Sequence, residues 1–483
     1  MAQLEPSSVN ANSVESLAPS TEAAARINAF IFWATILGLA WAPFWLGSNR
    51  PIAWYVNAVY FGALFILFEA ALWLSGRSHP VALGRVRWPA IIFVLVSMWI
   101  LVQASTWVPP SFENPIYVYS RQIFPDQNIA GSLTINRSLT YLALLRLVTE
   151  GAVFWLFLQL GRSPQRAHWT VEAVALIGIA YALYGIVAFF VFPNTILWFQ
   201  KYAYLDSVTS TFINRNSYAT YAGIGLICAL ACTFSAYNRE ASLVGRSALR
   251  RATSFVASTA GAAGWWLVGS FILGLALVRT GSRGGIIATI AGVAVLLLLT
   301  LLRGRNVVVA TASLLGVLVA GITIFVFGDF FAGRLLALGF ESADRLAVYK
   351  LTLLSIWDAP WKGFGYGTFE VVFPMYRDNS VSPFAYWDKA HNTYLEIIQG
   401  LGIPFAVLFF VMLLGLVIRA GRAALTRRSS ATAVLIATSA TVIVALHACV
   451  DFSMQIQAVA LTWTALLGTA MAQSWSSRIN TSA

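Results

Sequence analysis

Apolar runs of about twenty residues recur along most of this chain, and they constrain the fold more than any other feature. A helix rises about 1.5 Å per residue, so a run of ~20 apolar residues crosses the ~30 Å hydrocarbon core of a bilayer. A membrane barrel would instead alternate apolar and polar residues over strands of about ten. Of the 483 residues, 59% are hydrophobic and 10% are charged. Soluble domains average about 25% charged residues. The composition excludes a soluble enzyme and predicts an all-α, polytopic membrane protein. About twelve candidate spans can be drawn, at 28–47, 53–75, 88–107, 139–160, 169–193, 216–236, 257–278, 285–302, 306–328, 404–418, 431–450 and 454–473. The tenth is short. The fourth contains Arg146 and Glu150, spaced i and i+4, which read as a paired charge inside the bundle.

The net charge of +12 invites a nucleic-acid reading. The positive-inside rule explains it better. With the N-terminus in the cytoplasm, the short inner loops carry Arg77, Arg85 and Arg87, then Arg162 and Arg166, then Arg239, Arg246, Arg250 and Arg251, then Arg303 and Arg305, then Arg419, Arg422, Arg427 and Arg428. They hold almost no acid. The longer loops, about 108–138, 194–215, 279–284 and 329–403, then face outward. No nucleic-acid partner is expected. Residues 1–26 read as a polar, disordered cytoplasmic tail without the basic start of a secretory signal, so the first apolar run is expected to be retained. Cys228, Cys232 and Cys449 lie in apolar runs without metal-ligand spacing, as small core residues do.

The longest outer loop has structure written into it. Glu341–Trp357 has helical periodicity through Leu346, Tyr349, Leu353 and Ile356. Residues 358–369 are turn-rich, with Gly363, Gly365 and Gly367 at alternate positions. A loop this long without structure is rare, so a small folded cap is expected. Asp388–Gly402 then reads as a polar helix with His391 at its start, placing Asn392, Glu396 and Gln399 on one face.

Chemistry-bearing residues gather in the outward segments. Arg215 stands between Asn214 and Asn216, and Arg283 stands between Ser282 and Gly284. Arg345 lies on the loop helix, and His391 is followed by Asn392, Tyr394 and Glu396. Arginine's planar fork makes paired, charge-assisted hydrogen bonds to phosphate. Ser282 and the helix start after it add donors and a positive dipole end. Histidine titrates near neutrality and can take a proton from a hydroxyl. This set fits transfer from a diphosphate leaving group to an alcohol. No carboxylate cluster suggests a metal, and no cofactor is implied. The bland readings are lipid snorkelling for single arginines and a capping role for His391. Asp451, near His447, either orients a site or faces water.

Taken in order, Thr211–Asn216, Ser282-Arg283-Gly284, Arg345, Asp358–Gly367 and His391–Glu396 with Gly400 and Gly402 resemble the O-antigen ligase and polymerase superfamily of bacterial envelope glycosyltransferases. The resemblance covers 205–473 as one ligase-like domain, with a large periplasmic loop at 329–403 containing short helices. Residues 27–204 supply further spans, and 474–483 form a cytoplasmic tail. It implies a multi-pass inner-membrane enzyme whose active site faces the periplasm. Its donor would be an undecaprenyl-diphosphate-linked glycan, and its transfer inverting and metal-independent. The acceptor would be a lipid A–core sugar for a ligase or a second lipid-linked glycan for a polymerase of O-antigen or exopolysaccharide. It implies Arg215, Arg283 and His391 as catalytic. Arg345, Asn216, Ser282, Asn392, Tyr394 and Glu396 would bind substrate. The segment His447–Phe452 resembles the polymerase branch slightly more. A transporter or flippase of the same lipid is the competing class. It predicts ionisable residues at depth and repeat symmetry, whereas here the distinctive residues gather on one face.

Overall fold

The computed structural model describes residues 18–241, 261–303, 339–383, 386–427 and 431–475. Nearly all of that chain is helical, with 15 α-helices among the described residues. In order they are α1 (Ala18–Trp41), α2 (Pro51–Leu74), α3 (Arg87–Ala104), α4 (Pro115–Ile123), α5 (Arg137–Leu160), α6 (Pro164–Val191), α7 (Arg215–Ala241), α8 (Ala262–Arg279), α9 (Arg283–Leu302), α10 (Gly339–Asp358), α11 (Phe369–Val372), α12 (Thr393–Leu401), α13 (Ile403–Thr426), α14 (Thr432–Ala448) and α15 (Gln457–Gln473). A two-stranded hairpin, β1 (Thr195–Ile196) and β2 (Phe199–Gln200), interrupts the series.

Among the described residues, eight helices are long and apolar enough to cross a membrane: α2, α3, α5, α6, the Arg215–Tyr237 part of α7, α8, α9 and α13. The first expected span falls on the Ala25–Trp41 part of α1, and the eleventh and twelfth on α14 and α15, each of 17 residues. The ninth, 306–328, lies outside the described residues, as do 329–338 of the long loop, 1–17 of the first tail and 476–483 of the last. The tenth run, short in the sequence, is a helix of 24 residues. Arg419 and Arg422 carry it past the apolar stretch with their side chains exposed. Large apolar side chains cover the rim of the bundle, including Val59, Ile66 and Phe190, each about 70% exposed. In a chain this apolar such faces are covered by lipid. The protein is a multi-pass membrane protein.

Its centre is α15, buried along its whole length. It packs against α5 and α14 most closely, and also against α13, α6 and α7. Alanine and threonine make up nearly half of it, and neighbours approach a central helix closely only where side chains are small. The hydroxyls of Thr462, Thr464 and Thr469 each donate to the carbonyl four residues back, so they need no partner across the interface.

The 339–402 region is folded, as its periodicity predicts. Val348, Leu351, Phe369, Phe373, Val381 and Ala390 form a small core of its own. The glycine turn stitches it to the bundle. Phe364 and Gly365 N–H groups donate to the carbonyls of Gln399 and Gly400, and Ile135 N–H donates to the Phe364 carbonyl. Gln103 of α3 donates to the carbonyls of Lys362 and Gly400. Gly365 has φ +107°, and a Cβ there would lie 1.8 Å from Thr134 Oγ1, so only glycine fits.

Two expectations change here. Cys449, expected as a small core residue, is exposed because it stands in the turn just past the end of α14. Asp388–His391 is not helical. Asn392 is extended (φ −149°) and its side chain caps the helix by accepting from Leu395 N–H, so α12 begins at Thr393. His391 stands just outside, at φ +52°.

Candidate active site

The site is assembled from the start of α12, the end of α14 and the turn after it, and the starts of α7 and α9. Hydrogen bonds from polar side chains to main-chain carbonyls fix the first two together. Asn392 Nδ2 donates to Cys449 O at 3.0 Å, Thr393 Oγ1 to Asp451 O at 3.1 Å, and Tyr394 OH to Ala445 O at 2.9 Å. Tyr349 OH, from α10, donates to His391 O at 2.8 Å. His391 is therefore held from both sides in a left-handed conformation that a side chain seldom adopts. Such strain persists only where the surroundings over-determine it, and it clusters at functional sites.

The imidazole of His391 sits between two rings. Trp387 and Phe452 meet it edge-on, at centroid distances of 5.2 and 4.9 Å. Its Nδ1 lies 3.6 Å from Asp451 Oδ1, an ion-pair distance just beyond a full hydrogen bond. Asp451 is wholly buried. Asn216 Nδ2 donates to the same Oδ1 at 3.3 Å, and the Ser453 hydroxyl donates to Oδ2. Burial opposes ionisation of this carboxyl. The His391 contact, the nearby His447 and the Ser453 hydroxyl outweigh it and hold Asp451 below the usual carboxylate range. A carboxylate on Nδ1 sets the ring's orientation and leaves Nε2 as the nitrogen for chemistry.

Behind Asp451 lies a second buried imidazole. His447 Nδ1 is 2.5 Å from the Thr220 hydroxyl and 3.4 Å from that of Ser453. Its other edge faces α9: a Cβ on Gly284 would lie 3.0 Å from both Cδ2 and Nε2. Glycine at 284 thus lets the turn bearing Arg283 close onto α14. Arg345 lies near enough to bias Tyr349 and His447 electrostatically. In this way the chain segments carrying Arg215, Arg283, Arg345 and His391 meet around Asp451 and His447.

The expected site residues separate by what they touch. Arg283 is exposed at the start of α9, with no hydrogen-bond or ion-pair partner among the described residues. Arg215 is half-buried; its Nη1 reaches Ser207 Oγ at 3.5 Å, and its guanidinium lies 5.0 Å from the Tyr204 ring centre. Asn216 holds Asp451. Ser282 caps α9, its hydroxyl accepting from Gly285 N–H at 3.3 Å. Asn392 and Tyr394 dock α12, as above. Glu396 is buried and accepts from Ala390 N–H at 3.0 Å; burial pushes its carboxyl above the usual range. Arg146 does not pair with Glu150 within ion-pair distance. It donates to the Gln455 carbonyl and lies 4.6 Å from the Trp54 ring centre. Gln455 lies in the turn that follows Asp451, so this half-buried cation braces the same turn. Among the described residues, no three His, Cys, Asp or Glu side chains gather closely enough to hold a metal ion.

Asp451 and His447 are the residues that sequence reasoning left undecided. Their signal was an acid and a histidine at the end of an apolar run, which is costly unless each finds a partner. The partners come from elements distant in sequence.

No curated protein matches the chain. Residues 268–410 match the family model described as Wzy_C, O-antigen ligase. That stretch contains Arg283, Arg345 and His391, together with the α10–α12 cap that presents His391. Over that stretch the chain is similar to O-antigen ligases, a match that supports the O-antigen ligase and polymerase superfamily.

Proposed function

We propose that the protein transfers a glycan from an undecaprenyl-diphosphate carrier to an acceptor hydroxyl at the periplasmic face of the inner membrane. The observation that carries this reading is the buried Asp451 carboxylate at His391 Nδ1, which leaves Nε2 free as a base. In the reaction, the acceptor oxygen attacks the anomeric carbon of the donor sugar. His391 Nε2 takes the acceptor's proton. The anomeric C–O bond to phosphate breaks, and its electron pair leaves with the diphosphate. Arg215 and Arg283 hold that diphosphate, with Arg345 assisting; charge built on the leaving oxygens is what an arginine fork stabilises best. Attack from the face opposite the diphosphate inverts the anomeric centre, and the scheme needs no metal. Asn216 and Ser453 keep Asp451 ionised and aimed. Asn392, Tyr394 and Ser282 place His391 and Arg283 and thereby shape the pocket for substrate.

Arg215→Ala, Arg283→Ala and His391→Ala should each abolish transfer while leaving membrane insertion intact. Normal activity in all three would sink the mechanism. The glycan profile of a deletion strain reads the acceptor. Loss of surface polymer with long chains left on the carrier assigns a ligase. Short carrier-linked units with loss of a polymer assign a polymerase.

A further inference from the structure

Close to Arg215, a shallow recess opens between the end of α6 and the loop around the hairpin. Ala188, Phe189, Thr195, Lys201, Ser207 and Val208 line it. Lys201 is 7% exposed, and its ammonium donates to Ser207 O at 2.8 Å. An ammonium has three N–H donors, and this is its one hydrogen bond among the described residues. Burial lowers the pKa of this amine, and Asp206 partly counters that. Arg215 reaches Ser207 from the site side, and its Nε is buried without a hydrogen-bond partner. Arg279 closes the third side. Its carbonyl accepts from Val208 N–H at 3.0 Å, and its exposed guanidinium lies 4.7 Å from the centre of the Phe189 ring. The carboxylate of Asp206 also belongs to this cluster, accepting from the Ser207 hydroxyl at 3.1 Å. Lys201, Arg215 and Arg279 outnumber it, and a buried amine with spare donors is costly until an anion arrives.

We propose that this recess is a second phosphate subsite. In it, Lys201 and Arg279 join Arg215 to hold the phosphate nearer the lipid chain of a lipid-diphosphate donor. The inference rests on the donor reading above. The rim supports the choice of the lipid-side phosphate: Phe190, Val191 and Phe192 next to the recess are each more than half exposed, as residues facing lipid are. The phosphate bonded to the lipid chain is the one that such a rim brings close. The sugar-side phosphate is left to Arg283 and Arg345.

The test uses the full-length protein in detergent micelles with geranylgeranyl diphosphate, geranylgeranyl monophosphate and phosphatidylglycerol as probes. Arg279→Gln changes an exposed side chain and leaves folding undisturbed; Lys201→Met keeps the shape of the buried stem. Each should weaken diphosphate binding about tenfold or more, the loss expected for a charge-assisted hydrogen bond, and should weaken the monophosphate as well, whose one phosphate is the one bonded to the lipid chain; monophosphate affinity unchanged in both variants would overturn the assignment to the lipid-side phosphate. Diphosphate affinity unchanged in both variants would overturn the subsite while leaving the donor reading intact. If Arg279→Gln weakened phosphatidylglycerol as much as the diphosphate, the recess would be a bilayer headgroup site and the assignment to the donor would be wrong. Failure of the wild-type protein to bind any lipid diphosphate would instead overturn the donor reading itself.

Discussion

Replacing Asp451 with asparagine separates geometry from charge at the centre of the site. Asparagine has the same shape: its oxygen can still accept from Asn216 and its NH2 can donate to the Ser453 hydroxyl, reversing that bond, but the negative charge beside His391 Nδ1 is gone. In the proposed transfer His391 takes a proton, and that charge is what would stabilise the imidazolium. At 3.6 Å and an effective dielectric constant of about 20, the attraction is roughly 4–5 kcal/mol. Asn216 and Ser453 share the carboxylate, so a net loss of about 2–4 kcal/mol is expected, equivalent to a rate lower by roughly 30- to 1,000-fold. The assay is single-turnover glycan transfer by the purified protein in proteoliposomes, with thermal unfolding measured alongside. The pH dependence adds a second readout. Asp451 titrates below its unfolded value, so its stabilising contribution is complete above the ordinary carboxylate range, near about 3.9. It is lost as pH falls through the depressed folded value, and the asparagine variant should lack that acid-side loss. A transfer rate within threefold of wild type, with normal melting, would refute the role assigned to Asp451.

Further perturbations test other parts of the argument. Arg283→Lys should lower transfer at least tenfold in the same assay while insertion is unchanged, since an ammonium cannot replace the paired donors of the fork. Gly284→Ala drives a methyl group into the His447 ring at 3.0 Å and should cost about 1–3 kcal/mol of stability, read as a lower melting temperature. Glu396 titrates above its unfolded value, so stability should decline as pH rises from the ordinary carboxylate range through that raised value. Glu396→Gln should flatten this decline in thermal melts followed as a function of pH.

Much of the fold was legible because hydrophobic periodicity is a local property. The apolar runs around 53–75, 139–160 and 285–302 became α2, α5 and α9, since each run needs only bilayer and helix geometry to decide its form. The periodicity of Glu341–Trp357 gave α10 for the same reason, and the alternate glycines at 363–367 gave a tight turn. The start of α12 was misread because Asn392 can either sit inside a helix or cap one. Local spacing does not choose between these; the bonds to Cys449 and Asp451 do.

The candidate site divides along the same line. Composition and order alone marked Arg215, Arg283, Arg345 and His391, because arginine and histidine carry recognisable chemistry wherever they stand. The partners of those residues belong to the tertiary structure. Asp451 was equally consistent with facing water until α7 and α12 closed over it with Asn216 and His391. The pairing of Arg146 with Glu150 was a sensible reading of i,i+4 spacing, yet Arg146 turns to the Gln455 carbonyl and the Trp54 ring, which only packing brings within reach. The sequence by itself determined that the chain spans a membrane as helices and marked which side chains are candidates for chemistry. Tertiary structure decided which of them meet, because burial and partnership depend on residues hundreds of positions apart, and no local pattern encodes that distance.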